Sequence, residues 1–77
     1  MPRFYFHVRD GDGRIDDFEG MECPDIESAK KEADVAAREL VAEALKFHEH
    51  LDGRTIEIVD ENGAVVAEVL LRNVLET

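Results

Sequence analysis

From Arg3 to Arg9 the chain alternates between two chemistries. Phe4, Phe6 and Val8 fall on one side of an extended backbone, and Arg3, Tyr5, His7 and Arg9 on the other. Period two marks a strand with one face in a core. Asp10-Gly11-Asp12-Gly13 follows, and glycine beside aspartate favours a tight turn because both tolerate positive φ. Arg14 to Phe18 then reads as a short return strand, completing a hairpin. Glu19-Gly20 breaks it, Met21-Glu22-Cys23 is a brief extended piece, and Pro24 keeps Cys23 out of the helical region.

At Asp25 the period changes. Its carboxylate is an N-cap for a helix in which Ile26, Ala29, Ala33, Ala36, Ala37, Leu40, Ala44 and Phe47 recur at spacings of three and four. Glu27 suits the helix dipole in the first turn, and Glu27 with Lys31 and Asp34 with Arg38 form i,i+4 pairs on the wet side. Lys46, His48 and His50 suit the C-terminal end, and Asp52-Gly53 is the expected stop. From Asp25 to Glu49 such a helix spans roughly 35 Å, against about 23 Å for a seven-residue strand, so it overhangs its sheet or is clasped by loops. Period two then returns. Arg54 to Asp60 sets Ile56 and Ile58 against Thr55, Glu57 and Val59, and Asp60-Glu61-Asn62-Gly63 is a hairpin turn. In the last strand, Ala64 to Leu71, the alternation assigns Val65, Ala67, Val69 and Leu71 to the helix side and Val66, Glu68 and Leu70 to the other. Arg72 to Thr77 can close with one helical turn.

These elements predict an α+β fold of a single domain, 1–77: a two-layer ββαββ sandwich with one long helix on a largely antiparallel four-stranded sheet. Phe4, Phe6, Leu40, Ile56, Ile58, Val65 and Val69 form its core. The other sheet face stays open and carries Tyr5, His7, Glu57, Val59, Val66 and Leu70.

Charge and size narrow the functions this fold could serve. Seventy-seven residues bury only roughly 60% of their unfolded surface. A net charge of −10 repels nucleic acid and anionic membranes, so neither is an expected partner. No apolar run approaches the ~20 residues that span a bilayer. A lone cysteine and an opening Met-Pro-Arg without a leader pattern point to the cytoplasm.

No set of residues reads as catalytic, and no cofactor or metal is expected. Asp10, Asp12, Asp16, Asp17 and Glu19 suggest a calcium loop, but counting from Asp10 puts Arg14, Ile15 and Met21 where an EF-hand needs an oxygen ligand, glycine and glutamate. His48 and His50 are two apart, and on a helix they diverge where zinc needs i,i+4. Cys23 has no companion thiol. Ser28, the one serine, sits in a helix's first turn. His7 could act as a base if Glu57 or Glu68 oriented it. The simpler reading is a cross-strand ladder in which Arg3 and Arg9 pair with glutamates.

The run Arg3-Phe4-Tyr5-Phe6-His7-Val8-Arg9-Asp10-Gly11, with Gly20, Pro24-Asp25 and the Asp60-Glu61-Asn62-Gly63 hairpin, resembles a family of short bacterial proteins catalogued as a domain of unknown function. The resemblance implies a small stand-alone cytoplasmic protein and carries no activity with it. The hairpin followed by a Pro-Asp helix start is also similar to HicB-type antitoxins, which implies a protein-binding role.

The expected function is therefore a non-enzymatic interaction or regulatory module acting through its open sheet face or a sheet edge. Arg3, Tyr5, His7, Arg9, Val59, Val66 and Leu70 are its candidate binding residues. The expected partner is another protein or a second copy, with a two-fold homodimer favoured because Val59, Val66 and Leu70 are apolar on an uncovered face. Two alternatives are a small ligand-binding domain or enzyme centred on His7 and Tyr5, and a single-strand binder, which the net charge opposes.

Overall fold

The computed structural model describes residues 1–11, 13–49 and 53–74. Its elements are β1 (Arg3–Asp10), β2 (Gly13–Ile15), β3 (Met21–Glu22), α1 (Ile26–Lys46), β4 (Thr55–Val59), β5 (Val65–Leu70) and α2 (Leu71–Val74). The architecture is the α+β arrangement expected, one long helix on an open antiparallel sheet. The sheet has five strands where four were expected, in the order β2-β1-β4-β5 with β3 also on β1. The extra strand arises because the return strand is interrupted. Val8 pairs with Ile15 and Phe4 with Met21, so five residues of the return segment face three of β1. The two surplus residues buckle out between β2 and β3. Asp12, His50 and Asp52 lie outside the described residues, as do the last three of the closing turn, 75–77.

On the helix side, Phe6 with Ile58 and Ala67, and Val8 with Ile56 and Val69, form rows across the sheet. Alternation fails at one place. Ile58 pairs with Ala67 but Val59 with Val65, which leaves Val66 as an extra residue in a β-bulge. A bulge reverses the sense of in and out beyond it. Val66 accordingly packs against the core, and Val65, expected inside, is half exposed. Leu71, expected in the strand, begins α2 instead. It is fully buried, and its N–H donates to the Arg54 carbonyl at 3.1 Å.

Asp25 caps α1 as expected, its carboxylate accepting from the Ser28 N–H at 2.8 Å. That hydrogen bond is the main reason its carboxyl is held below the ordinary value. Ala29, Ala33, Ala37 and Ala44 are completely buried, and their small side chains let the helix sit close on the sheet. Val41 completes this stripe, while Ile26 and Phe47, expected on it, are exposed. Helix α1 packs on β4, β5 and α2. Phe6 and Val8 reach it from β1 and are only half-buried.

The helix ends at Lys46, before the expected Glu49 and Asp52-Gly53 stop, because His48 turns it. His48 has φ 57°, its N–H donates to the Leu45 carbonyl, and the Glu49 N–H donates to the Ala44 carbonyl at 2.8 Å. This is the Schellman pattern, with histidine at the left-handed position that glycine normally takes. An L side chain there is strained by roughly 1–2 kcal/mol. His48→Gly is therefore expected to stabilise the domain by about 1 kcal/mol, read as a raised urea midpoint with an unchanged slope. An unchanged midpoint would show that the histidine conformation is relaxed.

Candidate functional site

The solvent side of the sheet is built in rows. Tyr5, Val59 and Val65 make one, His7, Glu57 and Glu68 the next, and Arg9, Thr55 and Leu70 the third. The pleat places these residues outward, as expected from Arg3–Arg9 and from β4. The face is less open than the alternation suggests. Glu57 and Val59 are buried, and the His7 side chain is only 15% exposed.

Glu57 is covered by arginines. Its Oε2 accepts from Arg9 Nη1 at 2.7 Å, and its Oε1 lies 3.8 Å from Arg14 Nη1. Arg14 in turn donates to Asp16 Oδ1 from Nε at 2.6 Å. The apolar stems of the two arginines can shield the carboxylate while their charged ends stay wet. This is the ladder reading realised for Arg9. Arg3 also belongs to a ladder, with Nη2 3.4 Å from Glu22 Oε1. It donates further from Nη1 to the Glu19 carbonyl, and its backbone N–H donates to Glu61 Oε1.

His7 is engaged by a residue other than the glutamates considered for it. The Asp17 N–H donates to its Nδ1 at 3.0 Å, so the neutral ring carries its proton on Nε2. Asp16 Oδ1 lies 3.8 Å from the same nitrogen. Tyr5 stacks on the ring at a centroid distance of 6.4 Å and an interplanar angle of 14°. Asp17 itself closes the gap between β2 and β3. Its Oδ2 accepts from the Phe6 N–H at 3.1 Å, and its Oδ1 from the Gly20 and Glu19 N–H groups at 3.1 and 3.2 Å. Burial pushes the Asp17 carboxyl up. The hydrogen bonds from Gly20, Phe6 and Glu19 outweigh it and hold the carboxyl below its ordinary value. Gly20 permits this closure: at φ 70° a Cβ there would lie 2.9 Å from the Phe4 carbonyl and from the Arg3 and Tyr5 side chains.

The seven expected binding residues do not form one surface. Arg3, Tyr5, His7 and Arg9 share the outward face, and the contacts above engage each of them. Val59 is buried, Val66 packs inward, and Leu70 stands exposed near the far edge. Cys23 is buried, and that burial, with Glu32 and Asp25 nearby, pushes its thiol up, away from the reactive form. Among the described residues no three His, Cys, Asp or Glu side chains converge on a point that could hold a metal ion. Among the described residues no helix is long and apolar enough to cross a membrane.

The most exposed aromatic side chain among the described residues lies elsewhere, on the β2–β3 edge. Phe18, at the crest of the buckled segment, is 87% exposed, and Ile15 and Met21 flank it in the chain, also exposed. Alternation gave no warning of this, because Phe18 falls in the interruption. The Asp17-x-x-Gly20 spacing was the available signal, since an aspartate commonly accepts from the N–H groups two and three residues on.

The chain belongs to the family described as a domain of unknown function, DUF6894, whose family model matches residues 3–72. No curated protein matches it, and no solved structure does.

Asp17 is the test of this arrangement. Asp17→Asn replaces one accepting oxygen by a donor, leaving an N–H of the buckled edge unmet, and is expected to cost about 1–3 kcal/mol. The native carboxyl lies below its unfolded value, so its contribution is complete above the ordinary carboxylate range and lost as pH falls through the lowered native value. Denaturant titrations of both proteins from pH 7 to pH 2 should show the gap between them closing in acid. A gap independent of pH would assign the loss to packing.

Proposed function

We propose that this DUF6894 protein is a small non-enzymatic protein-interaction module of the bacterial cytoplasm that docks its partner on the β2–β3 edge of its sheet. The observation that carries this reading is Phe18. Phe18 is the most exposed large apolar side chain among the described residues, at 87%, it lies between the exposed Ile15 and Met21 in the chain, and aromatic anchors dominate the energetics of interfaces. Phe18 is also held in place. Asp17 next to it accepts three backbone N–H groups, and Arg3 donates to the Glu19 carbonyl at 2.7 Å. An anchor fixed before binding loses less entropy on binding than one on a loose loop. The engagement of His7 by Asp17 favours a structural part for the imidazole over a catalytic one.

The full chain, immobilised, should retain a stoichiometric protein from native lysate. Phe18→Ser should lose that protein while melting within about 0.5 kcal/mol of wild type, as exposed substitutions do. Leu70→Ser, at the opposite edge, should retain it. Loss with Leu70→Ser and retention with Phe18→Ser would move the docking surface to β5 and overturn the assignment, as would the absence of any retained protein.

A further inference from the structure

An α-helix with its side chains is about 10–12 Å across, and neighbouring strands lie about 4.8 Å apart. One helix therefore covers about two strands. Helix α1 packs on β4 and β5, while the sheet continues through β1 to β2 and β3. On that half Phe4 is buried in the core, but Phe6 and Val8 are only half-buried and β2 and β3 are exposed. Two hollows lie end to end along it. One is lined by Val8, Ile15 and Leu40, the other by Phe6, Met21 and Val35. They are neighbours, since Phe6 and Val8 are successive inward residues of β1, and Ala36, which lines the second hollow, stands one turn from Leu40. Apolar side chains line each hollow alongside charged ones, Asp10 and Arg54 among them at the Val8 end, and Ile15, Met21 and Val35 are exposed.

The rim is acidic. Glu32 and Glu39 border one hollow, and Glu43 and Glu49 the other. Glu32, Glu39 and Glu43 follow one side of α1 at spacings of seven and four, and none of the three is in an ion pair with another described residue. Glu39 and Glu43 are like charges at i,i+4, which weakens a helix slightly. Arg54, at the Val8 end, lies 3.8 Å from Glu49. We infer that this groove seats a cationic amphipathic helix of a partner protein, laid beside α1 to complete the helical layer over β1–β3. Leucine-sized anchors at i, i+3 or i+4 and i+7 would enter the hollows, and lysine or arginine on the flank would meet the glutamate stripe. A second copy of this chain, itself at net −10, fits less well because its field opposes approach. The inference rests on the edge-docking reading and adds the chemistry of the partner.

The test uses the intact chain and a synthetic leucine–lysine amphipathic peptide of about 16 residues, long enough to form a helix. Amide and methyl NMR shifts should move at Phe6, Val8, Ile15, Val35 and Leu40. An acidic peptide with the same leucines should leave them in place. The triple variant Glu32→Lys, Glu39→Lys, Glu43→Lys should bind the cationic peptide at least about tenfold more weakly. An equal charge change at Glu19, Glu27 and Glu68 should matter much less. Shifts scattered over the whole acidic surface, or equal losses in both triple variants, would overturn the groove. So would a concentration-dependent dimer whose interface maps to these residues. If the Phe18-dependent partner is recovered from lysate but the peptide leaves the groove untouched, edge docking stands and this inference falls. If no such partner is recovered, the edge-docking reading has failed on its own test.

Discussion

The outer edge of this domain depends on a single carboxylate. β1 is bordered by two short strands that cannot both stay in register with it, and the mismatch leaves the Phe6 N–H without a ladder partner. Asp17 supplies the missing acceptor with one oxygen and ties down the Glu19 and Gly20 N–H groups with the other. Its own N–H fixes the tautomer of His7, and His7 supports Tyr5. Buried backbone donors are almost always satisfied in native proteins. Here a side chain does the work of a neighbouring strand, and the same residue sets both the conformation of the edge and the outward row of rings.

The two layers are unequal in width for a related reason. The buried stripe of α1 is mostly alanine, which brings the helix close to β4 and β5 and lets Ile56 and Ile58 fill the interface completely. Close approach on one half of the sheet leaves the other half to be reached by longer side chains from β1. Phe6 and Val8 are consequently half-buried although the sequence places them as firmly inside as Phe4. The apolar surface that remains available lies on the helix side of the sheet, at its edge. The outward face is largely occupied by its own arginine–glutamate and aromatic contacts.

Most of the architecture is legible in the sequence because it rests on periodicity. β1, the Asp25 cap, the alanine stripe and the Asp60-Glu61-Asn62-Gly63 hairpin all follow from local spacing and local chemistry. The failures share a cause. Val65 and Val66 exchange faces because one inserted residue resets the alternation, and nothing in the apolar run Ala64-Val65-Val66-Ala67 marks which residue is the insertion. The return strand splits because five residues must face three, a mismatch visible only once register is known. His48 stops the helix from a conformation that residue type disfavours, so the later Asp-Gly was the stronger local signal. The candidate site was the least legible part. The outward residues of β1 are legible as a row, but their partners come from residues 14–22, Glu57 and Glu61, and Phe18 lies where no period holds.

The divided edge also decides how anything can attach to it. Unpaired strand edges invite other chains to add on through their backbones, a route to aggregation that soluble proteins restrain. β2 has three residues and β3 two, and between them the Glu19 and Gly20 N–H groups turn to the Asp17 carboxylate and the Asp17 N–H to His7. Neither piece offers a ladder long enough to template another strand. Contact at this border must therefore be made by side chains, whose shapes and charges discriminate among sequences. Backbone pairing would accept almost any extended chain, and the interruption makes this edge selective where a continuous strand would be indiscriminately adhesive.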